Sequence, residues 1–505
     1  MAKDLKASYE ELIRRSREAS LLASCASLLG WDEQTYMPKG GSEHRGNQMA
    51  LLAGLHHEKL TDPKIGELIA ELRESSLVED HEAPAAVNIR EIGRMYRRAT
   101  QLPRELVEEM ARTTSVAQSE WVAARSKSSF AQFQPWLEKI VDLKRREAAC
   151  VGFTDSAYDA LLDEYEPGAK SSELAVLFES LRQELVPLVA AIAASTQRPD
   201  MSILNRPYPV DRQQVFGEAV AGVLGFDFHR GRLDVAAHPF CSGIGPGDCR
   251  ITTRFNPNNL SEALFGIMHE VGHGLYDQGL LPEHHGTPMG EAISLGVHES
   301  QSRLWENAVG RSPAFWRHFY PIAKQVFHDA LHETSPEAFL FAVNQVEASL
   351  IRVQADEVTY NLHILIRFEL EQALISGDLA VADVPGAWND KYRQYLGVRP
   401  DNDAEGCLQD IHWSAGLFGY FPTYSLGNVF AAQLFDKANS DLGDQTKAFE
   451  RGEFHLLLEW LRQNVHQHGQ RYTSSQLIKK VTGSEIDHRP LIRSLKEKYG
   501  PLYHL

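Results

Sequence analysis

The chain has 505 residues, 43% of them hydrophobic and 24% charged, with a formal net charge of −17. That length buries a large core without staples, and the acidic balance excludes a nucleic-acid partner, since phosphate backbones require clustered Lys and Arg. The five cysteines are scattered with no CxxC pair, which argues against a disulfide framework or a cysteine-ligated metal and for a reducing compartment. Residues 1–18 are charged and amphipathic without the apolar core of a signal peptide. The most apolar runs, 21–31 and 186–194, are too short to span a bilayer, so a cytoplasmic protein free of the membrane is expected.

Residues 1–195 read almost entirely as helix. A period near 3.6 begins at Tyr9, Leu12 and Ile13 and continues through Ala19, Leu22 and Ala26. The Met37-Pro38-Lys39-Gly40-Gly41 run breaks it, and further helical patterns cover about 43–55, 83–113 and 130–149, with Pro103 opening a new helix after Thr100. Composition changes near residue 197, where prolines and glycines multiply. Arg250 to Phe255 alternates and carries β-branched residues, so a small sheet is expected there. Asn259 with Glu262 three positions on resembles a capping box, and Gly279 is a plausible stop for the helix between them. Segments 290–309, 313–332, 336–347 and about 349–375 again read as helix. Residues 398–429, rich in Gly, Pro and aromatics, read as irregular structure lining a site, and helix returns from Thr446. No linker separates domains, so 1–505 is expected to be a single unit, with a helical part at 1–195 and the site-bearing part at 196–505.

Within the helix after Asn259 stands His269-Glu270-Val271-Gly272-His273, an HExxH pentapeptide. Histidines four apart share one helical face and can reach one metal ion, with the glutamate between them placed to act on water beside it. Ala263, Leu264, Ile267, Met268, Val271 and Leu275 surround the pair with apolar residues, and buried imidazoles beside a carboxylate are costly unless a cation satisfies them together. A catalytic zinc takes three protein ligands and keeps a fourth position open, whereas structural sites are closed by four ligands rich in cysteine. Glu299 is the best third ligand, with Glu291, His298 and Glu306 as alternatives; His298 lies about 100° around the helix from Glu299, so both cannot face one ion. Such a site hydrolyses peptides: the metal polarises the scissile carbonyl and acidifies water, and Glu270 takes the water proton and passes it to the leaving amine.

Several further motifs stand in order along the chain: Trp31-Asp32 leading to Met37-Pro38, His238-Pro239-Phe240, Asp248-Cys249-Arg250-Ile251-Thr252, and His298-Glu299-Ser300-Gln301. Two more follow, Ile351-Arg352-Val353-Gln354-Ala355-Asp356 and Gly406-Cys407-Leu408-Gln409-Asp410-Ile411-His412-Trp413. Together with HExxH they resemble the M32 metallocarboxypeptidases, the thermostable carboxypeptidase Taq type, nearly end to end. The resemblance implies a mainly α, elongated molecule with a deep groove and a thimet oligopeptidase-like architecture. It also implies a homodimer, broad-specificity removal of C-terminal residues, and zinc, with cobalt able to substitute.

The remaining motif residues have physical readings of their own. A carboxypeptidase must recognise a free C-terminal carboxylate, and Arg352, among apolar neighbours, fits that need; the competing reading is an internal salt bridge to Asp356 at i+4. His412 is either a donor to substrate or a core histidine held by Asp410. Tyr420 and Tyr424 are candidate oxyanion or carboxylate donors, or packing. Arg250 sits on the expected strand, whose edge would pair with a substrate main chain, or pairs internally with Asp248. His238 reads as a wall of the site or as structural support. Residues 243–247 lack the strand–helix context of a phosphate loop. The competing functions are an endo-acting oligopeptidase of the same zinc chemistry and a non-catalytic helical protein with a vestigial metal site. The intact Glu270 disfavours the second.

Overall fold

A computed structural model describes residues 5–505; the first four residues of the charged N-terminal stretch lie outside it. The architecture is helical with one three-stranded sheet, as the sequence predicts. Two compact units are interleaved along the chain. Of the described residues, the first comprises those up to Thr100, 200–343 and 434–483, and the second 101–199, 344–433 and 484–505.

In the first unit, α1 (Leu5–Thr35) buries Leu12, Ala19 and Trp31. Leu12 joins Ile65, Leu68, Ile69 and Leu72 of the helix Pro63–Leu72, which starts where Asp62 accepts from the Lys64 amide and Pro63 takes the first position. The helix α2 (Val210–Leu224) leads to strands β1 (Gly231–Val235), β2 (Cys241–Gly245) and β3 (Asp248–Thr253). Their order is β1-β3-β2, with β1 parallel and β2 antiparallel to β3. The sequence points to β3; β2, Cys-Ser-Gly-Ile-Gly, carries a single β-branched residue and no alternation, so it gives no such signal.

Helix α3 (Leu260–Gly279) lies on this sheet. The side chain of Asn259 accepts from the Glu262 amide, while the Glu262 carboxylate turns to Arg254 and Asn256, so only half of the expected capping box forms. Buried residues occur all round α3, which makes it a core helix rather than a surface one. The segment expected as one helix over 290–309 is shorter and changes pitch. Helix α4 (Leu295–Arg303), capped by Ser294, passes into a π turn (Leu304–Val309) in which the Gly310 amide reaches back to Trp305 O.

Helices α3 and α4 touch at Gly272. A Cβ there would lie 2.5 Å from Gln301 O and 2.5 Å from Ser302 Cα, both backbone atoms of the facing helix. Nearby, the fully buried His466 bonds through Nε2–H to Gln301 Oε1 (3.0 Å).

In the second unit, Phe130–Val151, Ala157–Leu162, Ser171–Ala194 and Val384–Leu396 pack against α5 (Tyr360–Ser376), itself almost wholly buried, and Arg104–Ser126 packs on Phe130–Val151. The helix expected from about 349 begins only at Tyr360. Gln409 accepts from the Arg352 amide and donates to Leu350 O, and Asp356 accepts from the amides of Glu347, Val358 and Thr359, so side chains take the backbone groups that a helix would use. Residues 398–421 are irregular as expected, but helix resumes at Pro422 rather than after 429, because proline there occupies a first turn, where it is tolerated. Glu371 of α5 accepts from Tyr158 OH (2.7 Å), Trp413 Nε1 (2.9 Å) and the Gly419 amide (3.0 Å), which pins the loop that carries His412 and Tyr420.

Gly272→Ala should destabilise the first unit by about 1–3 kcal/mol, because the methyl meets backbone that cannot turn aside; thermal unfolding beside Gly266→Ala, a position in ordinary contact only, checks this. Burial lowers the pKa of His466 to about 3. The unfolded chain binds its proton near 6.5, so stability is full above about pH 6.5 and is lost as pH falls towards 3, by at most about 1.4 kcal/mol per pH unit. Urea titrations across that range should show a shallower slope in His466→Gln.

Candidate active site

One turn of α3 separates His269 from His273, and their rings meet edge to face with centroids 4.9 Å apart. Glu299 of α4 brings Oε2 to 3.6 Å from His269 Nε2 and 3.4 Å from His273 Nε2. Ligands at about 2.0–2.2 Å from a tetrahedral ion stand about 3.4 Å apart. The three donor atoms therefore fit one cation, and three protein ligands are the number a catalytic metal takes. Glu299 is held in place by Arg303 Nε on Oε1 (2.7 Å) and by Ser302 Oγ on Oε2 (3.0 Å).

Two of the alternative third ligands stand behind the histidines instead. Glu306, carried round by the π turn, accepts from His269 Nδ1 (2.9 Å) and is itself engaged by Arg303 and Arg311. His298 faces His273, Nδ1 to Nδ1 at 2.5 Å, and its Nε2 donates to Asp277 Oδ1 (3.0 Å). With His298 neutral, its Nδ1 accepts from His273. In the neutral rings that a bound cation requires, both partners thereby put the proton on Nδ1 and leave Nε2 of each histidine for the ion. Glu291 lies apart, lining a cavity with Asp277.

The electrostatics follow from burial among carboxylates. Burial opposes charge on His269, but Glu299 and Glu306 overcome it and raise the pKa to about 9. Burial holds His273 down to about 4 against the pull of Glu299. Burial works against ionising Glu299 and Glu306, yet Arg303 and the histidines keep Glu299 well below the usual carboxylate range and Glu306 at about 2. Glu270 is pushed up to about 7, first by burial and then by Glu299 and Glu306, the range in which a carboxylate serves as general base near neutral pH.

The second unit holds Arg352, buried at 5% exposure. Its internal partner is Asp410, not Asp356: Nε and Nη2 donate to Asp410 Oδ1 (3.0 and 2.9 Å), and Nη1 donates to Tyr360 OH (2.9 Å). An i+4 pair needs a helix, and residues 352–354 form only a short 3-10 turn. Arg367 of α5 takes the other oxygen of Asp410, Nε to Oδ2 at 2.6 Å. His412 is therefore not held by Asp410; its Nε2 lies 3.3 Å from Tyr424 OH, and burial lowers its pKa to about 4. The Tyr424 ring lies under the Arg352 guanidinium (5.1 Å), and Tyr420 lies beside His412 (ring centroids 5.4 Å). Arg352, His412, Tyr420 and Tyr424 thus form one cluster.

The family model for the carboxypeptidase Taq (M32) metallopeptidases matches residues 11–499, across both units. The chain belongs to this family. It is 48% identical to "Thermostable carboxypeptidase 1" of Thermus thermophilus, over 99% of each chain, and 38% identical to "Carboxypeptidase 1" of Bacillus subtilis, over 98% of each. Among solved structures it is similar to the M32 carboxypeptidase of Deinococcus radiodurans R1, with a TM-score of 0.96, 39% identity, and coverage of 99% of this chain and 100% of that one. It is a metallocarboxypeptidase.

Two predicted residues of this M32 chain sit differently from expectation. Arg250 is on β3, the middle strand, whose main chain pairs on both sides, so no edge there is free for a substrate. The guanidinium instead grips Asp248 through two hydrogen bonds of 2.8 Å and stacks 4.2 Å from the Trp31 ring centroid. His238 is exposed in the connection between β1 and β2. Sequence reasoning missed Asp277 and Arg367. Asp277 follows His269 and His273 at a further i+4 step on the same face. Arg367 stands among Leu365, Ile366 and Phe368, the same charge-in-apolar-helix signal that singled out Arg352.

Glu306→Gln should weaken metal binding about 10- to 100-fold, the effect expected for the residue behind a ligating histidine. Competition with a chelator of known affinity measures it, and an unchanged affinity would remove Glu306 from the site.

Proposed function

We propose that this metallocarboxypeptidase works with zinc held by His269, His273 and Glu299, and that Glu270 is its general base. What carries the reading is one carboxylate oxygen lying 3.6 and 3.4 Å from two imidazole Nε2 atoms whose Nδ1 atoms are both occupied. Bound zinc supplies Lewis acidity at the scissile carbonyl and makes a neighbouring water more acidic; cobalt satisfies the same donors. Glu270, with its pKa raised by burial, takes the proton of the attacking water and returns it to the leaving amine. Arg303 keeps Glu299 ionised and fixed, and Glu306 and His298 orient the two histidines.

Arg352 receives the C-terminal carboxylate of the peptide, which makes the reaction an exo-cleavage of broad specificity. Its bonds to Asp410 and Tyr360 employ three of its five N–H groups, so two are free to donate. His412, Tyr420 and Tyr424 add donors to the same substrate, while Arg250 is engaged by Asp248 and Trp31 and His238 is exposed. The whole chain acts as one peptidase, a cytoplasmic homodimer by family resemblance. No helix among the described residues is long and apolar enough to cross a membrane, and the five cysteines are free.

One peptide, offered with a free and with an amidated C-terminus, tests direction and roles together. The native enzyme should shorten only the free form, one residue at a time. Glu270→Gln should bind metal normally and lose turnover. Arg352→Lys, which keeps a charge beside Asp410 but loses the fork, should raise KM for the free form about 10-fold or more with less change in kcat. Equal internal cleavage of both peptides would overturn the assignment.

A further inference from the structure

One turn beyond His273, Asp277 carries its carboxylate to two cysteines. Oδ1 is taken by His298 Nε2 (3.0 Å), and Oδ2 lies 3.8 Å from Cys241 Sγ and 4.0 Å from Cys249 Sγ, with the two sulfurs 3.7 Å apart. The sequence argues against a cysteine-ligated metal because no CxxC pair exists. The β2–β3 hairpin supplies what that spacing lacks. Cys249 pairs with Gly243 and Cys241 with Ile251, so the cysteines are diagonal neighbours on the strands. Gly243 between them leaves room for the carboxylate, since a Cβ there would lie 2.7 Å from Asp277 Oδ2.

Two thiolates at about 2.3 Å from a tetrahedral ion stand about 3.8 Å apart, and a thiolate and a carboxylate about 3.5 Å. The observed distances of 3.7, 3.8 and 4.0 Å match that frame to within a few tenths of an ångström. A disulfide needs about 2.05 Å, so the sulfurs would have to close by about 1.6 Å. Thiols are weak donors, and a partly buried carboxylate oxygen facing only two of them is poorly satisfied. A cation answers all three groups together. Cys249 and Asp277 also line a cavity of about 270 Å³, bordered by Arg230, His285 and Glu291, which gives an entry path and space for a water as fourth ligand.

We propose that Cys241, Cys249 and Asp277 form a second metal site, separate from the HExxH triad, for a borderline-soft divalent cation of the Zn²⁺ and Cd²⁺ type. Binding forms two metal–sulfur bonds and one metal–oxygen bond and releases two thiol protons, and no oxidant is needed. The neighbouring Cys249 sulfur and burial otherwise hold the Cys241 thiol protonated, well above its ordinary pKa. Asp277 bridges the two centres, with one oxygen on the new ion and the other on the His298–His273 pair.

The HExxH triad has no sulfur, so a thiolate-to-metal charge-transfer band reports the new site alone, whatever the first site binds. Reduced, metal-stripped full-length protein titrated with Cd²⁺ should develop that ultraviolet band, complete by two equivalents because the triad takes up the other ion. C241S/C249S should lack it and bind one ion fewer by equilibrium dialysis. Should the double variant fail to fold, C241A, altered at the half-buried position, should lower the band while keeping the native circular dichroism. Asp277→Asn should retain the band with affinity weaker by about 10-fold or more. A native protein with no band, a band persisting in C241S/C249S, or a Cys241–Cys249 disulfide that forms in air and leaves metal binding unchanged would overturn the proposal.

Discussion

Because residue 272 has no side chain, the backbone of α3 lies against that of α4, with the Gln301 carbonyl and Ser302 Cα where a Cβ would go. Side-chain-to-side-chain packing holds helix axes about 8–10 Å apart, and a glycine at the contact lets two helices come nearer than that. Glycine contact brings them closer, and Glu299 Oε2 comes within 3.6 Å of both Nε2 atoms. The same closeness removes water from Glu270, Glu299 and Glu306 together. Three carboxylates in so small a volume repel one another, and Arg303, which reaches both Glu299 and Glu306, is the fixed charge that keeps two of them ionised. Glu270 has no such partner, and its pKa rises. One packing contact thus sets apart the proposed ligand carboxylate, Glu299, from the proposed base, Glu270.

Proton placement is the second consequence. An imidazole binds a metal only through a nitrogen without its proton, so the groups behind each histidine decide whether the donor set works. For His269 a carboxylate does this directly; for His273 a second imidazole and then Asp277 do it in relay. Glu306 lies on the π turn, seven residues after Glu299, and meets His269 from the same chain segment.

The pentapeptide, its apolar surroundings, its cap at Asn259 and its stop at Gly279 were all legible, because each depends on local spacing along one helix. Glu299 could be singled out among four candidates because meeting two histidines of one helix needs only a carboxylate on the next, and its Oε2 does lie beside both imidazoles. The roles of Glu306 and His298 were not, since they depend on a change of helical pitch and on contact between two helices, neither of which leaves a periodic trace. Strand β2 escaped because Ile244 alone among its residues favours a strand; pairing with β3 makes it one. Arg352 was legible as a buried charge with a reason to be there. Its partner was not, because Gln409 and Asp356 take the backbone groups of that segment and break the helical register on which an i+4 pair depends.

Asp410 poses a charge problem that bears on the direction of cleavage. It is one carboxylate between two guanidiniums, Arg352 and Arg367, both buried, so the three groups together carry one uncompensated positive charge. A buried unpaired charge costs several kcal/mol, and a fold tolerates it where something returns the cost. Arg367 is not the group left over: Asp410, His363 O, Gln409 Oε1 and, twice, Tyr392 OH take all five of its N–H groups. The excess falls on Arg352, which has two N–H groups to spare and lies beside the rings of Tyr424 and Phe421. An arginine so placed attracts an anion of its own shape, and a planar carboxylate matches the guanidinium fork. A peptide C-terminus supplies that carboxylate at one end only. On the role proposed for Arg352, the charge left over from two arginines and one aspartate would distinguish a chain end from a chain middle, a distinction that the proposed metal triad, which addresses only a peptide carbonyl, has no means to make.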